Sequence, residues 1–133
     1  KRLECQEFLR VNPNHIPSLI YMGLYFRSEG SYDKSIEYLE LASELNPKNI
    51  DVLKYLADIY LSLDMIENAI KKLLKIRSYQ PDNYSVYKNI GIAYGFANNY
   101  KDALLYLKWA LSFCESEKSR AEIDRLIDDF KMK

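Results

Sequence analysis

Apolar residues along this chain recur at intervals of three and four, which places them on one face of a helix, and the stripes break at regular points. In the middle of the chain Leu53, Leu56, Tyr60 and Leu63 form one stripe. Ile66, Ala69, Ile70, Leu73 and Ile76 form the next, after a break at Asp64. Two antiparallel helices, each with a polar outer face, satisfy that pattern. The same reading predicts helices over 17–29 and 33–45, 51–63 and 67–79, and 85–97 and 101–113, with a leading helix over 1–11.

The stripes repeat with a period of 34 residues. Pro13, Pro47 and Pro81 mark it, and four further columns keep register: Gly23, Ala57 and Gly91; Phe26, Tyr60 and Tyr94; Ser35, Ala69 and Ala103; Leu39, Leu73 and Leu107. A unit of that length cannot enclose a core by itself, so its copies must stack. The predicted architecture is all-α, a solenoid of antiparallel helix pairs. Small residues in the glycine and alanine columns let backbones approach, so Gly23, Ala57 and Gly91 are expected to meet Ser35, Ala69 and Ala103. Gly30 and the Asn98–Asn99 pair suit the left-handed residue that ends a helix. Asn12–Pro13, Asn46–Pro47 and Gln80–Pro81 stop the chain between units, because proline disfavours helical geometry before it. Asp51 and Ser85 are expected to cap the helices that follow.

Composition narrows the function. With 133 residues, one domain is expected. Nineteen Lys and Arg balance nineteen Asp and Glu, so no broad field draws the chain to nucleic acid or anionic lipid. No apolar run is long enough for membrane insertion. Cys5 and Cys114 lie near opposite ends in no CxxC spacing, which argues against a disulfide and for a reducing, cytoplasmic setting. Residues 1–11 fall where the second half of a repeat belongs, so a first half is expected before them and the chain reads as a fragment.

Nothing here assembles into a catalytic or metal site. The single histidine, His15, follows Pro13 in a junction, and one His with two distant Cys cannot hold zinc. Gly23, Gly30, Gly91 and Gly95 form no phosphate-cradling loop, and no cofactor is implied. Glu37, Glu40 and Glu44 read as a solvated helix face. Asn83-Tyr84-Ser85 has the form of a glycosylation acceptor, which matters only in a secreted chain.

Leu19, Met22-Gly23, Phe26, Ser35, Leu39, Ala42 and Pro47 together resemble the tetratricopeptide repeat. A second copy lies in Leu53, Leu56-Ala57, Tyr60, Ala69, Leu73 and Pro81, and a third in Tyr87, Ile90-Gly91, Tyr94, Ala103, Leu107 and Ala110. The resemblance divides the chain into the second helix of a truncated repeat (1–15), repeats at 16–49, 50–83 and 84–117, and a capping helix at 118–133. It implies a right-handed superhelix whose concave side is lined by the first helices. A peptide or helix of a partner protein would lie there, on Ile20, Tyr21, Leu24, Arg27 and Ser28, on Lys54, Tyr55, Asp58, Leu61 and Ser62, and on Lys88, Asn89, Ile92 and Phe96. Of the tyrosines, Tyr21 and Tyr55 are expected to be free for recognition. The members that clamp chaperone C-terminal carboxylates use Lys, Asn and Arg on these helices. Here Ile20, Leu24, Tyr55, Ser85 and Asn89 stand in those places, which disfavours chaperone tails. An apolar or aromatic anchor fits better, as in secretion chaperones and assembly scaffolds. The alternative is a structural segment of a longer solenoid, with self-association through residues 1–11.

Overall fold

In the computed structural model, which describes residues 1–133, each apolar stripe becomes one helix. They are α1 (Arg2–Val11), α2 (Ile16–Ser28), α3 (Tyr32–Leu45), α4 (Ile50–Ser62), α5 (Ile66–Tyr79), α6 (Tyr84–Phe96), α7 (Tyr100–Phe113) and α8 (Glu117–Lys131). No strand is present. Each helix packs on its neighbours in the chain, most extensively within the pairs α2–α3, α4–α5 and α6–α7.

The breaks obey a repeated backbone rule. Gly30, Asp64 and Asn98, one period apart, have φ of 78°, 60° and 61°. Beyond each, the amides of Ser31, Met65 and Asn99 reach back to the carbonyls of Phe26, Tyr60 and Tyr94 at 2.9, 2.8 and 2.9 Å. This closes the first helix of each pair and turns the chain into the second. Helix starts differ by one residue from the expectation. Asn49 and Asn83 are the caps, their side chains accepting from the amides of Val52 and Ser85, while Asp51 and Ser85 lie inside the first turn. An asparagine directly before the turn reaches those free amides first.

The core is a row of three clusters, the first drawing on the four helices α2 to α5 and the other two on three consecutive helices each. Leu19, Leu39, Val52 and Leu56 belong to the first, Leu53, Leu73, Ile76 and Ile90 to the second, and Tyr87, Leu107, Ile123 and Ile127 to the third. Within a pair, the glycine column meets the leucine column. A Cβ on Gly91 would stand 2.9 Å from Leu107 Cγ and 3.1 Å from the carbonyl oxygen of Ala103. At Gly23 the corresponding neighbour is Leu39, and the Ser35 hydroxyl donates to the Gly23 carbonyl at 2.6 Å, fully buried. Serine thus replaces alanine in this column without leaving its hydroxyl unpaired.

The last helix, α8, holds the place of a first helix without the means to receive a second. Where α2, α4 and α6 present the columns Leu19, Leu53, Tyr87; Met22, Leu56, Ile90; Gly23, Ala57, Gly91; and Phe26, Tyr60, Tyr94, α8 presents Ala121, Asp124, Arg125 and Asp128, all exposed. Its other face buries Ile123 and Ile127, and Phe130 lies against Gly95. Helix α8 is thus apolar on one side and charged on the other.

Gly91→Leu should lower stability by about 1–3 kcal/mol, because the added side chain meets both a packed leucine and a backbone carbonyl. Thermal melting measures this, and an unchanged midpoint would refute the close crossing.

Candidate interaction surface

The first helices adjoin one another along one side of the molecule. Arg27 of α2 lies over the Tyr55 ring of α4 at 5.2 Å. A cleft of about 190 Å³ between α4 and α6 is lined by Lys54, Asp58, Ser85 and Asn89. A second, of about 320 Å³, lies between Lys88 and Ile92 of α6 and Glu122, Arg125, Leu126 and Asp129 of α8. The terminal helix therefore lengthens this wall and does not fold across it.

The residues expected on this wall divide into three groups. Ile20, Tyr55 and Leu61 are half-buried and pack against the core clusters, contrary to the expectation that the wall residues lie outside the packing. Tyr21 and Tyr55 are not free: Lys1 lies over the Tyr21 ring at 5.2 Å, as Arg27 does over Tyr55. Cations on such faces satisfy the rings from within the chain. Ser28 and Ser62 donate their hydroxyls to the carbonyls of Tyr25 and Asp58. Leu24, Arg27, Lys88 and Ile92 are half-buried, and Lys54, Asp58 and Asn89 are exposed. Phe96, at the end of α6, is 61% exposed and is the one large aromatic ring on the wall turned mostly to solvent.

Charge is concentrated at Asp58. Its carboxyl is held above the ordinary value, first by loss of water around it, against the opposing pull of Arg27 and Lys54. Elsewhere, the Tyr60 phenol donates to Glu40 Oε2 at 2.5 Å and Lys72 Nζ pairs with Glu40 Oε1 at 2.7 Å. Burial first, and then the bond to Glu40, push that phenol far above its usual range. This bridge ties α3 to α4 and α5. His15 lies at the start of α2, exposed, with its ring edge-on to that of Phe8 at 4.6 Å between centroids and Ser18 Oγ 2.7 Å from Nδ1.

Sequence reasoning missed the contribution of α8 to the wall, since Glu122, Arg125 and Asp129 read simply as the polar side of a cap. It also missed an aromatic cleft outside the wall, formed by Tyr87, Trp109 and Phe113 beside Arg77. Its residues come from three helices, and the one available signal was the departure of Trp109 from the repeat columns.

Comparison with known proteins agrees with this architecture. Residues 26–91 match the profile of the tetratricopeptide repeat. The chain is similar to human General transcription factor 3C polypeptide 3 (28% identical over 81 residues) and to Tetratricopeptide repeat protein 37 of Xenopus laevis (32% over 83 residues). It is also similar to the Photosystem I assembly protein Ycf3 of Prochlorococcus marinus strain NATL2A (33% over 75 residues). The matched segments are 61%, 62% and 54% of this chain but 9%, 5% and 43% of those proteins. Among solved structures, MamA from Desulfovibrio magneticus RS-1 superposes with a TM-score of 0.81 at 14% identity, over 98% of this chain and 72% of that one. Another MamA structure gives 0.77 at 23% identity, over 91% and 64%. At such identities the likeness is one of fold. Helix pairs turning at a shared left-handed residue, small residues at each crossing and a matching profile place this chain in the tetratricopeptide-repeat family.

Proposed function

We propose that this chain is a non-catalytic interaction module, a single domain with repeats at 16–49, 50–83 and 84–117 whose first helices receive a peptide or helix of a partner protein. The exposed ring of Phe96 carries the reading, because the helix pairs close their cores without it. On the same helices Ile92 offers apolar surface, and Lys54, Asp58, Lys88 and Asn89 offer polar contacts. Such a surface suits a partner with one apolar anchor and flanking polar groups. Chaperone carboxylate tails remain disfavoured, since Ile20, Leu24 and Tyr55 offer them no cation or amide. No helix is long and apolar enough to cross a membrane. Two unpaired cysteines, one half-buried and one buried, support the cytoplasm as its setting.

A second reading rests on α1. Leu3 and Val11 are 65% and 81% exposed and leave an apolar edge. Such an edge suits stacking on further helices of a longer solenoid or on a second copy.

Three measurements test these readings. Proteins captured by the wild-type chain should be lost from a Phe96→Ala, Lys54→Glu, Lys88→Glu variant; identical capture would refute the wall as the binding surface. If α1 mediates self-association, the wild type should sediment as a dimer and Leu3→Glu, Val11→Glu as a monomer; a wild-type monomer at all concentrations rules out the copy-to-copy contact. The third concerns Asp58. Its folded carboxyl binds a proton more tightly than the unfolded one, so its ionised form disfavours folding, and its contribution to stability rises as pH falls through the folded-state pKa. Asp58→Asn should therefore melt above wild type near neutral pH, with the gap closing as pH falls to about 4. A gap independent of pH would contradict the desolvated carboxyl.

A further inference from the structure

Away from the wall, the ends of α5 and α7 and the start of α6 enclose a cleft of about 590 Å³, within the range of built ligand sites. Tyr87 is its floor. Phe113 stacks on Tyr87 at 5.0 Å, and Trp109 meets Tyr87 edge-on at 6.0 Å and Tyr106 at 5.1 Å. Trp109 and Phe113 are 41% and 37% exposed, so these rings are ordered by one another while keeping open surface. Arg77 forms one wall. Its guanidinium lies 5.8 Å from the Tyr106 centroid and 5.9 Å from that of Trp109, and it donates to the Tyr106 hydroxyl at 3.2 Å.

Two features set this cleft apart from repeat packing. The equivalent places one period earlier hold Ser43 for Arg77, Glu44 for Ser78, Leu53 for Tyr87, Lys75 for Trp109 and Tyr79 for Phe113. The helix pair there closes with Tyr79 as the one ring in these places and without the guanidinium, so stacking does not require the Trp109–Arg77 group. Arg77 is also a half-buried cation with no acid: the ion pairs of the chain are Arg10–Glu7 and Lys72–Glu40. A guanidinium offers five N–H donors in a planar fork that matches a carboxylate. The two second helices that border the cleft are net cationic, while Asp82 and Glu115 are the acids nearest to its lining residues in the chain. Helices α5 and α7 carry Lys71, Lys72, Lys75, Arg77, Lys101 and Lys108 against Glu67 and Asp102, whereas α3 carries Asp33, Glu37, Glu40 and Glu44 against Lys34.

We propose that this cleft is a second docking site, for an acidic segment of a partner protein that inserts an aromatic side chain against Tyr87, Trp109 and Phe113 while a neighbouring Asp or Glu pairs with Arg77. The rings supply stacking area and the guanidinium supplies orientation. The cationic bias of α5 and α7 draws the acidic segment in. Because all of its lining except Tyr87 and Pro81 lies on the second helices α5 and α7, the cleft can be filled together with the wall of first helices, and the module then joins two segments at once.

Trp109 is the only tryptophan in the chain, so its emission reports on this cleft alone. The probe is an acetylated, C-terminally amidated pentapeptide with a central phenylalanine and two acidic residues on each side; amidation removes the terminal carboxylate as a source of binding. Saturable change in Trp109 emission is expected. Affinity should fall about tenfold or more when the acids become amides, when phenylalanine becomes alanine, or in Arg77→Gln confirmed as folded by circular dichroism. The two altered peptides act on the wild-type chain and keep the test valid should Arg77→Gln not fold. Absence of a saturable change, equal affinity for all three peptides, or an undiminished affinity in folded Arg77→Gln would overturn the proposal. So would a concentration-dependent change in Trp109 emission without peptide, which would mark a second copy as the occupant.

Discussion

Everything in this molecule depends on how closely the two helices of a pair can cross. A helix of 13 or 14 residues, such as α4 or α5, is marginal in water and gains its stability from the face it buries. Gly23 and Gly91 seat the side chains of Leu39 and Leu107 directly on backbone, which brings each first helix onto its second at a distance that larger residues forbid. Once that crossing is set, the remaining apolar positions have only the next pair to pack against. Hence the core runs as a row of clusters, each drawing on three or four helices in succession, and the extensive contacts are those between consecutive helices.

A linear stack has consequences for where chemistry can reside. Interior columns are committed to packing, so the side chains open to solvent are those that the columns leave over. On the first helices these are the exposed polar groups around Lys54, Asp58 and Asn89, with Phe96 beyond them. On the second helices, departures from the columns accumulate at the last pair, where aromatic rings gather beside Arg77. On α8 Arg125 occupies the place of a crossing glycine and Asp128 that of an aromatic, and both are exposed.

The fold was legible because its determinants are local and repeated. Three copies of each column give the same instruction, and the left-handed residues at Gly30, Asp64 and Asn98 confirm the turns even though one of the three is glycine. Small errors came from competition among neighbours: Asn49 and Asn83 reached the free amides ahead of Asp51 and Ser85. The surface was less legible. The family resemblance put Tyr21 and Tyr55 among the wall residues, yet no spacing along the chain could reveal that Lys1 and Arg27 lie over their rings, since the first pair is twenty residues apart and the second lies across two helix pairs.

The amino-acid sequence by itself determined the helices, their pairing and the period of the stack, because each follows from periodicity, backbone preference and residue size acting over one repeat. The tertiary structure alone decided which exposed side chains are available. Whether a ring meets solvent or a neighbouring cation, and whether Arg77 meets an acid or Tyr106 and Trp109, depends on side chains that converge from different helices. Those distances are set by the packing of one pair on the next, which no single repeat encodes.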